Sequence, residues 1–575
     1  MNKKELSILG VAALSLGGLL AYARRRQLLA RLLDLPPVRN GVTVTTGVRV
    51  PMPDGTTLAA DHYQPQVPGR GPTVLIRTPY GRGGRDGIPA RLSAYCFAER
   101  GYHVIAQDTR GRFDSAAAGE FEPYVHEAAD GAATIAWIAG QPWSDGQVAM
   151  WGASYVGYVQ WAAASSGTPH LKALLPIITQ AHLGGSLPHG QVYLDRTLRW
   201  MLILDSLSRP DLTPWQRMQR AYVAPAQDQV LAAGFDHLPL ATVDEAVFGR
   251  PVSLYRRWLA HPAVDDPYWQ AVDFRARVAS VTAPVHLVAG WYDIFLSGQL
   301  ADYSALAAAG AGPYLTIGPW THMDLRNQLH GLREGLRWFD AHLLGRGRPR
   351  AQAVRLYVMG ADEWREYPAW PPPATEMAYH LHPAGLLLAD PAPAGALPDH
   401  YRYDPADPTP NLGGPLLSGH AGPRDNRPLE ARPDVLTYTT PKLTRPVTVI
   451  GPVRLVLYVH SSLEHTDFFG RLCDVQPSGE SINICDGILR LVPGSGEPRP
   501  DGSRRIVVEL AATAYAFRPG HQIRLLVASG AHPRFARNLG TGEPPQSGTR
   551  LAAADQTIYH DAAHPSAICL PCVMP

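Results

Sequence analysis

Val148-Ala149-Met150-Trp151-Gly152-Ala153-Ser154-Tyr155-Val156-Gly157 is the stretch that decides the fold. An apolar run stops at a glycine, a serine follows within two residues, and residues 155–165 take up helical spacing. Strand, tight glycine-flanked turn and helix together project a serine hydroxyl from a sheet edge, where it can attack. A serine that merely caps the helix is the plainer reading of the same residues. A serine hydroxyl is unreactive at neutral pH without a base and an oxyanion site. The chain downstream must therefore supply an acid and then a histidine.

Outward from that turn, apolar runs suited to buried parallel strands recur at 73–76, 103–106, 148–151, 172–177, 285–289 and 314–317. Helical patterns at 90–100, 127–139 and 155–165 separate them, which predicts a doubly wound α/β sheet. The alternation breaks over 184–275, where helical spacing at 193–207 and 214–231 predicts a cap inserted at the carboxyl end of the sheet. A helix at 331–344 closes the α/β part. Beyond residue 350 proline is dense, and the short runs 447–450, 453–460, 484–492, 506–511 and 522–528 have no helices between them. Such punctuation predicts an all-β sandwich. The expected division is 1–35 as an apolar N-terminal segment, 36–183 with 276–347 as catalytic domain, 184–275 as cap and 348–575 as sandwich.

Asp293, in Gly290-Trp291-Tyr292-Asp293, follows the run 285–289; His322, in Gly318-Pro319-Trp320-Thr321-His322, follows 314–317. Both leave the sheet at the edge that carries Ser154, in the order serine, acid, histidine. His322 would take the Ser154 proton and return it to the leaving group, while Asp293 fixes the imidazole tautomer. Asp108 precedes Ser154, so the order excludes it as the acid and leaves it a turn former. The first oxyanion donor is the N–H of Tyr155. The second belongs in Arg77-Thr78-Pro79-Tyr80-Gly81, where Tyr80 could offer its hydroxyl or be a buried aromatic.

As a set, Gly152-Ala153-Ser154-Tyr155-Val156-Gly157, Arg77-Thr78-Pro79-Tyr80-Gly81, Gln107-Asp108-Thr109-Arg110-Gly111 and the Asp293 and His322 motifs resemble the serine hydrolases typified by bacterial cocaine esterase. Thr466-Asp467-Phe468 and Asp486-Gly487-Ile488-Leu489-Arg490 extend the resemblance to the C-terminus. It implies an α/β-hydrolase domain with a helical cap and a C-terminal jelly roll, and it implies that Tyr80 gives its hydroxyl to the oxyanion hole. Phe295 matches a pocket-lining aromatic of that family, and Trp151 is assigned to the same substrate pocket. The expected activity is hydrolysis of a small carboxylic ester through an acyl-enzyme. Relatives that cleave X-Pro peptides or α-amino acid esters supply the second reading, and a catalytically silent binding protein the third.

The chemistry requires no metal and no organic cofactor. A net charge of +2 on 575 residues, with dispersed Lys and Arg, excludes nucleic acid as the main partner. A homo-oligomer is left open. Of five cysteines, Cys96 reads as a packed apolar residue; Cys473 and Cys485 flank a turn as a conceivable cross-strand pair. Cys569 and Cys572 have redox or metal spacing but read better as two strand residues. The apolar run 6–23, between Lys3-Lys4 and Arg24-Arg25-Arg26, is expected to be a membrane anchor or, second, a cleaved export signal, with a buried helix as third choice.

Overall fold

The computed structural model describes residues 25–83, 87–182, 186–187, 191–263 and 265–573. The expected N-terminal anchor or signal lies outside them. Among the described residues no helix is long and apolar enough to cross a membrane. The architecture is α/β with mixed sheets, followed by an all-β C-terminal part. The chain forms two compact units. One holds the chain up to Phe121 with His126–Leu175 and Gln328–Pro349; the other holds Glu122–Val125, Pro176–Asn327 and the chain from Arg350 onward.

In the first unit the strand order is Val42–Pro51, Thr57–Pro65, His103–Asp108, Gly71–Thr78, Ser144–Ala153. The last three run parallel, with Thr73 beside both His103 and Val148. All eight residues of Gly71–Thr78 are buried, which is why that run carries no polar alternation. Helices Ile88–Ala98, Glu127–Ala139 and Tyr155–Ala164 connect the strands. His62 and His103 lie 3.0 Å apart between nitrogens, stacked with Trp143, and burial pushes both pKa values down to about 4.

The second unit takes the end of strand Leu171–Ile177, where Ile177 pairs with Val288. His286–Tyr292 and Tyr314–Thr321 run parallel, and Val354–Val358 adds to their edge before turning back as Glu363–Tyr367. The inserted region is helical as expected, packed around Leu198, Leu202, Leu231, Val243 and Tyr255. Its second helix is not continuous over 214–231: Pro214–Tyr222 ends at Val223, and Ala224–Phe235 begins with Pro225 in its first turn. Proline is tolerated there and nowhere deeper, so it sets the break. Thr213 starts the former helix with a reciprocal capping box to Gln216.

In the all-β part the runs 447–450 and 453–460 merge into one strand, Val447–Ser461, whose bulge falls between Gly451 and Val453. The helix expected at 331–344 begins earlier, as Leu325–Leu343. Cys473 and Cys485 sit on neighbouring strands and are free thiols; a bulge puts Cys485 opposite Leu472 and Cys473 opposite Asn483. Cys569 and Cys572 are residues of strand Ala567–Cys572, paired with Thr375–His382. On helix Leu296–Ala308, buried Asp302 accepts the Ala181 N–H at 2.8 Å, and burial pushes its pKa up to about 8.

Candidate active site

Ser154 sits between strand Ser144–Ala153 and helix Tyr155–Ala164 with φ 57° and ψ −123°. A serine pays strain for a positive φ, and such strain is characteristic of a nucleophile at a strand-to-helix elbow. Its side chain makes no capping hydrogen bond, which removes the plainer reading of the serine as a helix cap. Gly152 is obligatory: its φ is 153°, and a Cβ would lie 2.1 Å from Val156 Cγ1. The Ser154 carbonyl accepts from Gly157 and Tyr158, so the helix starts at once and Tyr155 stands in its first turn. First-turn N–H groups have no intrahelical acceptor, which suits the Tyr155 amide to an oxyanion.

The Tyr155 side chain is anchored below: its hydroxyl donates to Glu127 Oε1 at 2.8 Å. Glu127 also pairs with buried Arg77 at 2.6 Å, and Arg77 Nε donates to Gln107 at 2.8 Å. The sequence motifs around Arg77 and Gln107 are thus one buried network. The loop that carries Tyr80 is pinned at several points. Tyr80 N–H donates to Thr78 Oγ1 at 3.1 Å, and Arg112 Nε to the Pro79 carbonyl at 2.9 Å. Arg82 donates its N–H to Asp108 at 2.8 Å, while its guanidinium holds Asp61, Asp108 and Asp114. Burial raises the Asp108 pKa to about 6 against the pull of Arg82. Asp108 is therefore a brace of the loop, more than a turn former.

In the second unit, strands His286–Tyr292 and Tyr314–Thr321 stay in register to Gly290–Gly318, and then Tyr292 faces Thr321. One extra residue is absorbed at Pro319-Trp320, a bulge of the kind that re-aims the residue after it. The Trp320 carbonyl folds over Gly290, where a Cβ would stand 2.4 Å from it. Asp293 and His322, each the residue just past its strand, are thereby brought together: Asp293 Oδ2 to His322 Nδ1 is 2.6 Å, with both side chains buried. Asp293 Oδ1 accepts the Phe295 N–H at 2.8 Å, so both carboxylate oxygens are engaged. A proton on Nδ1 leaves Nε2 as the basic nitrogen. Asn327, not singled out in the sequence, donates to the Thr321 carbonyl at 3.0 Å and steadies the histidine loop.

Phe295 packs edge-on against the His322 ring at 5.4 Å. Over Phe295, at 5.7 Å, lies the guanidinium of Arg196 from the cap helix Leu194–Ser208, which also covers Tyr193 at 3.9 Å. No sequence pattern marks Arg196. Trp151 is corrected: its ring is buried in the core of the first unit, edge-on to Phe97 at 5.7 Å, with Nε1 donating to the Gly331 carbonyl at 3.1 Å. Large apolar surface on that strand face is claimed by helix Leu325–Leu343 and not by a ligand. A separate cavity of about 190 Å³ in the second unit, near Phe235, Arg490 and Arg537, contains neither Asp293 nor His322.

Of the expected site residues, then, Ser154, Tyr155 and Tyr80 belong to the first unit, and Asp293, His322 and Phe295 to the second. Among the described residues no group of three His, Cys, Asp or Glu side chains could hold a metal ion.

Residues 54–324 match the family described as X-Pro dipeptidyl-peptidase (S15 family), and residues 349–568 the X-Pro dipeptidyl-peptidase C-terminal non-catalytic domain. The chain is 34% identical to cocaine esterase of Rhodococcus sp. (strain MB1 Bresler), over 93% of this chain and 100% of that one. Among solved structures, an aminopeptidase from a marine sediment Thaumarchaeota archaeon is similar with a TM-score of 0.78, 23% identity and coverage of 93% and 97% of the two chains. An α-amino acid ester hydrolase gives a TM-score of 0.76, 22% identity and the same coverage. These two likenesses are of fold.

Proposed function

The chain belongs to the X-Pro dipeptidyl-peptidase (S15) family and is a serine hydrolase; from that premise we propose that it is an acyl esterase in which Ser154, His322 and Asp293 act together. The observation that carries the reading is the buried Asp293–His322 pair, oriented through Nδ1. Residues 36–183 and 276–347 form the catalytic domain in this reading, 184–275 its cap and 348–575 the appended all-β domain.

His322 Nε2 takes the Ser154 Oγ proton as the oxygen adds to the ester carbonyl. The Tyr155 N–H and the Tyr80 hydroxyl hold the oxyanion, each worth about 3 kcal/mol in the transition state. The imidazolium, stabilised by Asp293, then protonates the departing alcohol. Water attacks the acyl-enzyme by the same steps in reverse, releasing the acid and Ser154. What favours an ester over an aminopeptidase substrate is the cation on Phe295: the Arg196 guanidinium would repel a substrate ammonium.

A fluorophosphonate probe tests the reading. Labelling of the wild type is expected to vanish in Ser154→Ala. A panel of acyl esters, amino-acid esters and X-Pro amides should show turnover of the first class above the other two. An unlabelled wild type ends the hydrolase assignment; release of dipeptides from X-Pro amides as the preferred reaction ends the esterase one.

A further inference from the structure

Tyr292 is the last residue of strand His286–Tyr292 and stands immediately before Asp293. Past the Pro319-Trp320 bulge it faces Thr321, the residue immediately before His322. One tyrosine is therefore in register with the strand ends that carry both members of the acid–base pair. Its ring is buried, and its hydroxyl donates to the carbonyl of Asn483 at 3.1 Å. Burial pushes the phenol pKa above its ordinary value, so the group stays a neutral donor. The proton transfers of the triad do not use that hydroxyl.

Asn483 belongs to strand Ser481–Leu491 of the all-β part, at the bulge where it faces Cys473 while Cys485 faces Leu472. A bulge disturbs the ladder around it, and the Tyr292 hydroxyl takes up a carbonyl there. The side chain of Asn483 fixes a second contact. Its Oδ1 accepts the Arg424 N–H at 2.7 Å, and its Nδ2 donates to the Gly422 carbonyl at 3.2 Å. Gly422 also exchanges two backbone hydrogen bonds with Gly414, at 2.8 and 2.9 Å. Gly422, at φ 92°, is thereby held against Thr321, where a Cβ would stand 3.3 Å from Thr321 Cγ2. Asn426, which donates to Asn483 Oδ1 at 3.3 Å, accepts in turn from buried Arg471 at 2.7 Å. A single anchored asparagine thus braces both strand ends. Every residue in this chain of contacts belongs to the second unit.

We propose that Tyr292 is a positioning residue for catalysis: through Asn483 the all-β part holds the two strand ends so that Asp293 Oδ2 and His322 Nδ1 stay at hydrogen-bonding distance. The assignment rests on the triad reading above, and Tyr292 acts through Asp293. A carboxylate that drifts stabilises the imidazolium less and lets the ring leave the contact that fixes its tautomer. The all-β part then contributes to turnover and not to stability alone.

Tyr292→Phe removes the hydroxyl and keeps the ring. kcat should fall about 10-fold with KM nearly unchanged, and the rate of fluorophosphonate labelling should fall with it. The acid limb of the kcat/KM profile should move to lower pH, because a poorly held carboxylate favours the imidazolium less. A merely structural hydroxyl would lower the melting temperature and leave kcat and that limb alone. Tyr401→Phe is the comparison: its hydroxyl meets Ser529 at 2.9 Å in the same all-β part, and its loss should cost melting temperature only. Wild-type kcat and acid limb in Tyr292→Phe overturn the assignment, whatever the melting temperature. An equal loss of kcat in Tyr401→Phe makes the effect one of general loosening and overturns it as well. Should Tyr292→Phe fail to fold, Gly422→Ala decides, since its methyl meets Thr321. There kcat should fall too and recover in part with Thr321→Ser; an undiminished kcat, or a loss that Thr321→Ser does not relieve, overturns the assignment. His322→Ala separates the two readings. If it is labelled as fast as wild type, the triad reading fails and this one with it. If it is silent while Tyr292→Phe matches wild type, only the part played by Tyr292 is lost.

Discussion

Ser154 occupies a backbone conformation that side chains avoid, and the residues around it explain how it is kept there: Gly152 leaves room for Val156, and Tyr155 is tied through Glu127 to Arg77. Tyr80 has comparable support, since Thr78, Arg112 and Arg82 each fasten its loop. A donor held in place before the substrate arrives need not be reorganised during reaction, which is the basis of oxyanion stabilisation. Tyr80→Phe should therefore lower kcat by about 10²-fold with little change in KM or in melting temperature; an unaltered kcat would take Tyr80 out of the oxyanion site. At this scale the sequence is legible where chemistry imposes order and type: serine, acid and histidine each follow a strand, and Asp293 and His322 do meet. It is illegible where meaning depends on what packs against what. Arg196 is one of 52 Lys and Arg residues, and only its place over the Phe295 ring singles it out. Trp151 misleads for the converse reason: a large aromatic beside a nucleophile suits a pocket or a core, and the packing of Phe97 decides for the core.

The elements that carry Asp293 and His322 are two parallel strands of unequal length, reconciled by the bulge at Pro319-Trp320. The motif glycine before Asp293 has its explanation there, because the Trp320 carbonyl occupies the space of a Gly290 side chain. Gly290→Ala should push that carbonyl away, swing His322 off Asp293 and lower kcat by about 10²-fold, the price of roughly 1 Å of misplacement. Fluorophosphonate labelling should slow in parallel; a labelling rate equal to wild type would show that the bulge does not position the histidine. Element types were readable because apolar runs such as Val74-Leu75-Ile76 have no polar alternation. Their ends were less so. His103–Asp108 extends over Gln107 and Asp108, polar residues whose buried side-chain oxygens accept from Arg77 and Arg82 of other segments. The helical pattern over 214–231 hid a break that Pro225 makes necessary.

At the scale of the whole molecule, buried titratable groups outside the site set how stability follows pH. Asp302 keeps its proton in the folded state up to about 8, whereas the unfolded chain releases it near 3.8. The folded state thus binds more protons between those values, so this group's contribution falls as pH rises from 3.8 and levels off above about 8. His62 and His103 act in the opposite sense: with folded values of about 4 against 6.5 unfolded, they withdraw stability as pH falls below 6.5. Between about 4 and 6.5 two histidines oppose one carboxyl, and above 6.5 Asp302 acts without them, so these groups together favour a maximum near pH 6.5. Asp302→Asn should raise the melting temperature at pH 8, lose that advantage by pH 4 and flatten the decline between 6.5 and 8; an unchanged alkaline slope would acquit Asp302. Each ester bond cleaved near neutral pH liberates an acid that ionises. A carboxyl sealed beside Ala181 therefore makes the protein sturdier as its own product acidifies the medium, until the His62–His103 pair reverses the trend: a self-limiting feedback between turnover and durability, set by side chains that never meet the substrate.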